Sequence, residues 1–205
     1  MIAVIDYKAG NLTSVVKALR YLGAADVEVT QAPAEVRRAD KIVLPGVGHF
    51  RSTQLLQDLG LTAAVRERVA DGMPFLGICV GLQWLYGGSS EAPETDGLCA
   101  FGGRCERFPT SFEGAPLKAP HVGWNALDDI RPDSRLLRGV REGSFAYFTH
   151  SWRAPVSGET AATTMYGGPF AAAVERGNVM GVQFHPEKSA EVGLQVLRNF
   201  LELAC

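Results

Sequence analysis

Residues 75–83 read Phe75-Leu76-Gly77-Ile78-Cys79-Val80-Gly81-Leu82-Gln83. A short apolar run of strand character ends at a cysteine held between two glycines, and a helical pattern follows at once. A strand that delivers a nucleophile into a tight turn before a helix is the G-x-nucleophile-x-G elbow of open α/β sheets. The glycines have a steric purpose, because the nucleophile sits in a strained turn where neighbouring side chains would collide. The turn directs the sulfur at the start of a helix, where backbone N–H groups and the helix dipole favour a thiolate, the reactive form of cysteine. The alternative is a buried, inert thiol that happens to lie between glycines.

Working outward, Met1–Ile5 reads as a buried first strand, and Leu12, Val15, Val16, Leu19 and Leu22 recur at helical spacing behind a possible N-cap, Asn11. Val27–Thr30 and Lys41–Leu44 are further strands, the second ending in the turn Pro45-Gly46-Val47-Gly48. Helical patterns run from about Phe50 to Asp71. Strands alternating with helices predict a mostly parallel central sheet flanked by helices. From about Gly97 to Phe184 the pattern changes to short β-like runs with many Gly and Pro turns. Ala171–Val174 and Val179–Phe184 flank Glu175-Arg176-Gly177-Asn178 as an expected hairpin, so an additional antiparallel β region is expected. A closing helix from about Ala190 carries Val192, Val196, Leu197, Phe200 and Leu201 on one face, with Ser189 as its N-cap. No repeat or linker interrupts the chain, and one mixed α/β domain over residues 1–205 is expected.

Composition narrows the function classes. Of 205 residues, 46% are hydrophobic and 20% charged, which suits a folded globular chain rather than a disordered one. The net charge of -2 and the scattered Lys and Arg give no basic stripe for nucleic acid. No apolar run reaches the roughly 20 residues of a membrane helix, and Asp6 cuts short the N-terminal apolar run, against a signal peptide. Cys79, Cys99, Cys105 and Cys205 form no CxxC pair and no zinc spacing, so a cytoplasmic protein with reduced thiols, no metal and no cofactor is expected. Cys99, Cys105 and Cys205 lack the context of Cys79.

A thiol nucleophile needs a base. Of His49, His121, His150 and His185, only His185 has a carboxylate at close spacing, in His185-Pro186-Glu187 at the end of the Val179–Phe184 run. In an extended segment residues two apart share a side, so Glu187 can hold the imidazole tautomer as the acid does in a Ser-His-Asp triad. A structural strand-end histidine is the alternative, and for the other three histidines a structural or binding role is the default. Gly46, Val47 and Gly48 can bring backbone N–H groups to an oxyanion, with the Val80 amide behind the nucleophile as a fellow donor. A plain turn is the alternative for that segment. Gln83, one turn after Cys79 on the same helix face, either bonds a substrate or is simply solvated.

PGVG at 45–48, GICVG with Gln83, and FHPE at 184–187, in this order, resemble the class I glutamine amidotransferases over nearly the whole chain. The resemblance implies the α/β glutaminase fold of that class, attack by Cys79 on the glutamine amide, proton transfer by His185, and a γ-glutamyl thioester that is then hydrolysed. Asp6–Asn11 (DYKAGN), His121–Asn125 (HVGWN), Tyr147–Ser151 (YFTHS) and His185–Ser189 (HPEKS) are similar to segments of the glutaminase subunits of imidazole glycerol phosphate synthases. That similarity implies a heterodimer with a (β/α)8-barrel cyclase subunit in histidine biosynthesis. It implies that Gln83 and Glu91 hold glutamine near Ser151 and Trp152, and that Asn11, Trp124, Tyr147 and Lys188 face the cyclase. Lys8-Ala9, His49 and Val122 depart from the pattern, and none touches the triad. The same chemistry serving another synthase, a partner-free γ-glutamyl hydrolase, and a non-catalytic binding module are the competing expectations.

Overall fold

The computed structural model describes residues 1–204; Cys205 lies outside the described residues. The N-terminal half alternates: β1 (Ile2–Ile5), α1 (Leu12–Tyr21), β2 (Val27–Thr30), α2 (Pro33–Arg38), β3 (Lys41–Gly46), α3 (Gln54–Asp58), α4 (Leu61–Ala70), β4 (Phe75–Cys79) and the single turn α5 (Val80–Gln83). Short strands follow: β5 (Glu106–Arg107), β6 (Ser111–Phe112), β7 (Ala115–Pro116), β8 (His121–Leu127), β9 (Ser144–His150) and β10 (Trp152–Arg153). The chain closes with β11 (Thr160–Met165), β12 (Pro169–Arg176), β13 (Val179–Val182) and α6 (Ala190–Leu201).

Seven strands form the central sheet in the order β11-β12-β13-β4-β3-β1-β2. The β13-β4-β3-β1-β2 portion is parallel, and β11 and β12 join antiparallel at one edge. The inner parallel strands β1, β3, β4 and β13 are buried along their whole length and mostly apolar, as strands covered on both faces are, whereas edge strand β2 leaves Glu28 and Val29 exposed. A separate antiparallel pair, β8 with β9, stands beside β11. This is the α/β architecture expected from the sequence. Two registers position the site. Gly46 pairs with Cys79 across β3 and β4, and Val182 pairs with Ile78 across β13 and β4. The Pro45–Gly48 turn, Cys79 and the segment leading to His185 therefore emerge at the same end of the sheet, where open parallel sheets bind ligands.

The elements differ from the sequence reading in places. β3 runs on through Pro45 and Gly46 because its pairing with β1 stops at Val43, so the missing proline N–H breaks no ladder bond there. The 50–71 helical region is broken at Gly60, at φ +74°, into a 3₁₀ turn (Phe50–Thr53), α3 and α4. Helix α2 was not anticipated, although Pro33 at its start, Glu35 in its first turn and Arg37 and Arg38 in its last are ordinary helix signals. Neither Asn11 nor Ser189 caps a helix with its side chain. Asn11 Nδ2 donates to Glu187 at 3.5 Å, while Ser189 Oγ donates to the His185 carbonyl and accepts from the Tyr147 amide. β13 stops at Val182, short of the expected Phe184. No helix among the described residues is long and apolar enough to cross a membrane.

The Glu175 carboxylate, 4% exposed at the end of β12, organises the 134–136 loop. It accepts from Ser134 Oγ at 2.7 Å, from the Arg135 and Leu136 amides at 3.2 Å each, and from Arg135 Nε at 3.0 Å. Glu175→Ala should leave the loop donors without an acceptor and lower unfolding free energy by about 3 kcal/mol, read as a reduced urea midpoint.

Candidate active site

Cys79 has φ +55° and ψ −107°, a conformation that L-residues other than glycine rarely adopt. Its neighbours explain how the chain tolerates it. A β-carbon at Gly81 would stand 2.0 Å from the Leu44 carbonyl oxygen, and one at Gly77 would stand 2.3 Å from the Gly81 carbonyl oxygen. Only glycines allow β4, the turn and β3 to approach this closely. The helix beyond is one turn long, so unpaired amides at its start, including that of Val80, matter more than a macrodipole.

The sulfur lines a pocket of about 270 Å³ together with Val47, Gly48, Val80, Gln83, Glu91, Ser151, Trp152 and His185, and also Thr149 and His150. His185 Nδ1 lies 2.9 Å from Glu187 Oε1, and both side chains are almost fully buried. The reason differs from the one read in the sequence. Residues 186–188 form a 3₁₀ turn begun by Pro186, and the carboxylate folds back onto the ring within it. Nε2, the ring nitrogen away from Glu187, is buried and has no hydrogen-bond partner, and the Cys79 sulfur acts on the ring's pKa. Burial pushes the imidazole pKa down, but the Cys79 sulfur and Glu187 outweigh it and raise it to about 10. A buried ring whose pKa is raised from both sides is suited to act as an imidazolium beside a sulfur nucleophile.

One of the donors expected from the 46–48 turn points elsewhere. The Val47 N–H donates to the Ala9 carbonyl at 3.1 Å and so cannot serve an oxyanion in this conformation. Gly46 admits no side chain, since a β-carbon there would stand 2.5 Å from Tyr7 Oη and 2.7 Å from Val80 Cβ. That phenol is buried and lacks a partner, and burial followed by the charge on Cys79 raises its pKa.

A sequence profile described as "Glutamine amidotransferase class-I" matches residues 3–204. The chain belongs to this family. It is 47% identical over 205 residues to a protein of Moorella thermoacetica named "Imidazole glycerol phosphate synthase subunit HisH", covering 98% of this chain and 94% of the relative. A Methanothermobacter thermautotrophicus protein of the same name is 46% identical over 204 residues, covering 99% and 98%. Among solved structures, one titled "Crystal structure of glutamine amidotransferase" superposes with a TM-score of 0.75 at 21% identity over 98% of each chain, a likeness of fold.

In this amidotransferase Glu91 Oε2 accepts from the Phe50 amide at 2.8 Å, which fixes the carboxylate at the pocket wall. Gln83 is more committed than its substrate role implied. Its Nε2 donates to the Trp152 carbonyl at 2.9 Å and to Gln183 Oε1 at 3.2 Å, so Oε1 is the atom left for a ligand. The buried Trp152 Nε1 is without a partner. His49 is exposed, and its Nδ1 accepts from the Arg51 amide at 3.1 Å, a turn-forming role. Cys99 is exposed and Cys105 buried, both free thiols, and burial pushes the Cys105 thiol up.

Trp124 is 52% exposed rather than a core aromatic, and it meets Tyr147 edge-on at 6.1 Å, while Lys188 Nζ lies 5.8 Å from the Tyr147 ring. Asn11 does not simply face outward, because its side chain reaches Glu187. Two neighbours of the sulfur and its pocket went unread. Gln183, fully buried, donates to Cys79 Sγ at 3.6 Å, and His150 lines the pocket.

The raised His185 pKa requires its anionic neighbours. Glu187→Gln should move the midpoint of the His185 imidazole titration, followed by ring-nitrogen NMR, to lower pH from about 10.

Proposed function

We propose that this chain, as one glutaminase domain, hydrolyses glutamine to glutamate and ammonia and supplies the ammonia to a (β/α)8-barrel cyclase subunit of imidazole glycerol phosphate synthase in histidine biosynthesis. One observation carries the chemistry: Cys79 shares a small pocket with His185, whose far nitrogen is held by a buried carboxylate. The thiolate attacks the side-chain carbonyl carbon of glutamine. The negative charge that forms on oxygen needs backbone donors, Val80 together with the 46–48 turn. Imidazolium His185 gives its proton to the departing nitrogen, and ammonia leaves a γ-glutamyl thioester. The neutral imidazole then takes a proton from water, the hydroxide adds to the thioester carbon, and the thiolate departs with glutamate. Glu187 keeps the ring in the tautomer that both steps use. Glu91 suits the α-ammonium of glutamine, and Gln83 Oε1 with the Ser151–Trp152 backbone suits its polar groups.

The partner reading is supported by the names of the curated relatives and by the surface beside the pocket. On β8 and β9, Val122, Trp124 and Phe145 are all more than half exposed, with Tyr147 and Lys188 adjoining. A contiguous apolar and aromatic face of this kind on a folded domain marks a docking surface. Asn11 joins its rim to the triad carboxylate.

With the Val47 amide bonded to Ala9, the resting enzyme lacks one oxyanion donor. Loss of such a donor costs about 3 kcal/mol, or roughly a hundredfold in rate. The isolated chain should therefore turn over glutamine slowly, and the cyclase with its ligand should raise the rate by freeing that amide. Stopped-time glutamate assays with and without the cyclase and ligand decide this, and equal rates count against it. Cys79→Ser should abolish turnover in both states. Trp124→Ala should weaken cyclase binding about thirtyfold by calorimetry, the effect of losing an anchor worth roughly 2 kcal/mol.

A further inference from the structure

The Trp152 carbonyl is a fixed point in the buried polar network behind the pocket, because a carbonyl can only accept. Two donors meet it. His150 Nδ1 approaches at 2.8 Å and Gln83 Nε2 at 2.9 Å. Each contact sets the polarity of everything beyond it.

On one side, His150 must carry its proton on Nδ1, so a neutral ring accepts at Nε2. The atom opposite is His121 Nδ1 at 3.3 Å, which must then be the protonated nitrogen of that ring. His121 Nε2 becomes an acceptor and receives Asn125 Nδ2 at 3.2 Å. Both rings are neutral, since burial lowers the pKa of His121 to about 4 and that of His150 to about 3. Stacking of His121 on Tyr166 at 4.1 Å and on Phe148 at 5.1 Å holds its ring plane.

On the other side, the Gln83 amide nitrogen faces the carbonyl, and its second hydrogen points to Gln183 at 3.2 Å. The Gln183 atom there must be Oε1. Its nitrogen therefore faces Cys79 Sγ, at 3.6 Å. The orientation of an amide whose oxygen and nitrogen ends are alike in shape is thus fixed by chemistry. Gln183 is fully buried, and Gln83 is 2% exposed, so water does not compete for these donors.

We propose that the Gln183 side-chain amide is a donor to the reacting sulfur, oriented by Gln83, which donates to the Trp152 carbonyl, and that the Asn125–His121–His150 hydrogen bonds hold that carbonyl in place from its other side. Gln183 is a catalytic residue by this contact, and His121 and His150 are positioning residues. The donor stabilises sulfur as an anion, before attack and again when the thioester collapses, and weakens when sulfur is acylated and neutral. The histidine bonds begin on β8 beside exposed Trp124, so the docking face and the nucleophile are connected through the Trp152 carbonyl. The other ionisable groups around the sulfur and its pocket are His185, with Glu187 behind it, His150, Glu91 at the wall, and the Tyr7 phenol.

This inference rests on Cys79 being the nucleophile, and its test reads the free chain without turnover. Iodoacetamide labelling of Cys79, followed by peptide mass spectrometry at fixed neutral pH, should be roughly tenfold slower in Gln183→Leu, the effect of losing one neutral donor to an anion. The ultraviolet thiolate absorbance, taken as a difference from Cys79→Ser, should fall with it. His121→Phe should slow labelling by a smaller factor, and His121→Gln, whose amide can still donate to His150, should restore most of it. Should Gln183→Leu fail to fold, NMR of the parent serves. Cys79→Ala should shift the Gln183 side-chain amide resonances and remove their slow exchange. Unchanged labelling in a folded Gln183→Leu, or unmoved resonances in Cys79→Ala, overturns the proposal. Retained glutamine hydrolysis in Cys79→Ala would instead overturn the functional reading and leave the contact standing.

Discussion

The backbone of Cys79 is the constraint on which the site depends. Its left-handed conformation costs on the order of 1–3 kcal/mol, and such a residue persists only where the surroundings over-determine it. Here they do so from three directions. β4 enters the turn already paired on both edges, with β3 on one side and β13 on the other. The next turn of backbone is pressed against β4 and β3 so closely that Gly77 and Gly81 can carry no side chain. A nucleophile held this way cannot retreat into the core, and its sulfur stands at the sheet's end whatever occupies the pocket.

Around that fixed sulfur the charges are arranged asymmetrically. The Cys79 sulfur and Glu187 raise the His185 pKa, whereas His150, on the opposite wall, is kept neutral by burial and by a proton committed to a carbonyl. Two histidines in one pocket thus differ in charge preference, and under the proposed function one moves protons while the other supports geometry. A protonated His150 would have no acceptor for its second N–H, since His121 already presents a hydrogen there, so the pocket admits a single cationic ring.

Much of this was legible in the sequence, for identifiable reasons. Strands buried on both faces announce themselves as unbroken apolar runs, and Gly-x-Cys-x-Gly encodes a steric requirement that few other local structures impose. The pocket gathers Cys79, His185, Gln83, Glu91, Ser151 and Trp152, all named from spacing or resemblance. What stayed hidden depends on contacts distant along the chain. Asn11 and Ser189 have the composition of helix caps, but tertiary partners claimed their side chains. Gln183 gains meaning only from Gln83, a hundred residues earlier. The direction of the Val47 amide is a single peptide orientation, and no residue identity encodes it.

That peptide orientation connects the local chemistry to assembly. An N–H bonded to Ala9 at 3.1 Å is satisfied, so turning it inward exchanges one good hydrogen bond for a donor that is useful only when an oxyanion is present. In the free chain nothing offsets that exchange. Ala9 belongs to the loop between β1 and α1, and Asn11 in the same loop reaches the triad carboxylate. Under the proposed function, a partner that grips this loop would withdraw the Ala9 carbonyl without touching Cys79, because the elbow is fixed independently by β3, β4 and β13. The fold thus separates an elbow held by three strands from a Val47 peptide held by one hydrogen bond, and on that proposal the second completes the oxyanion hole only when the partner docks.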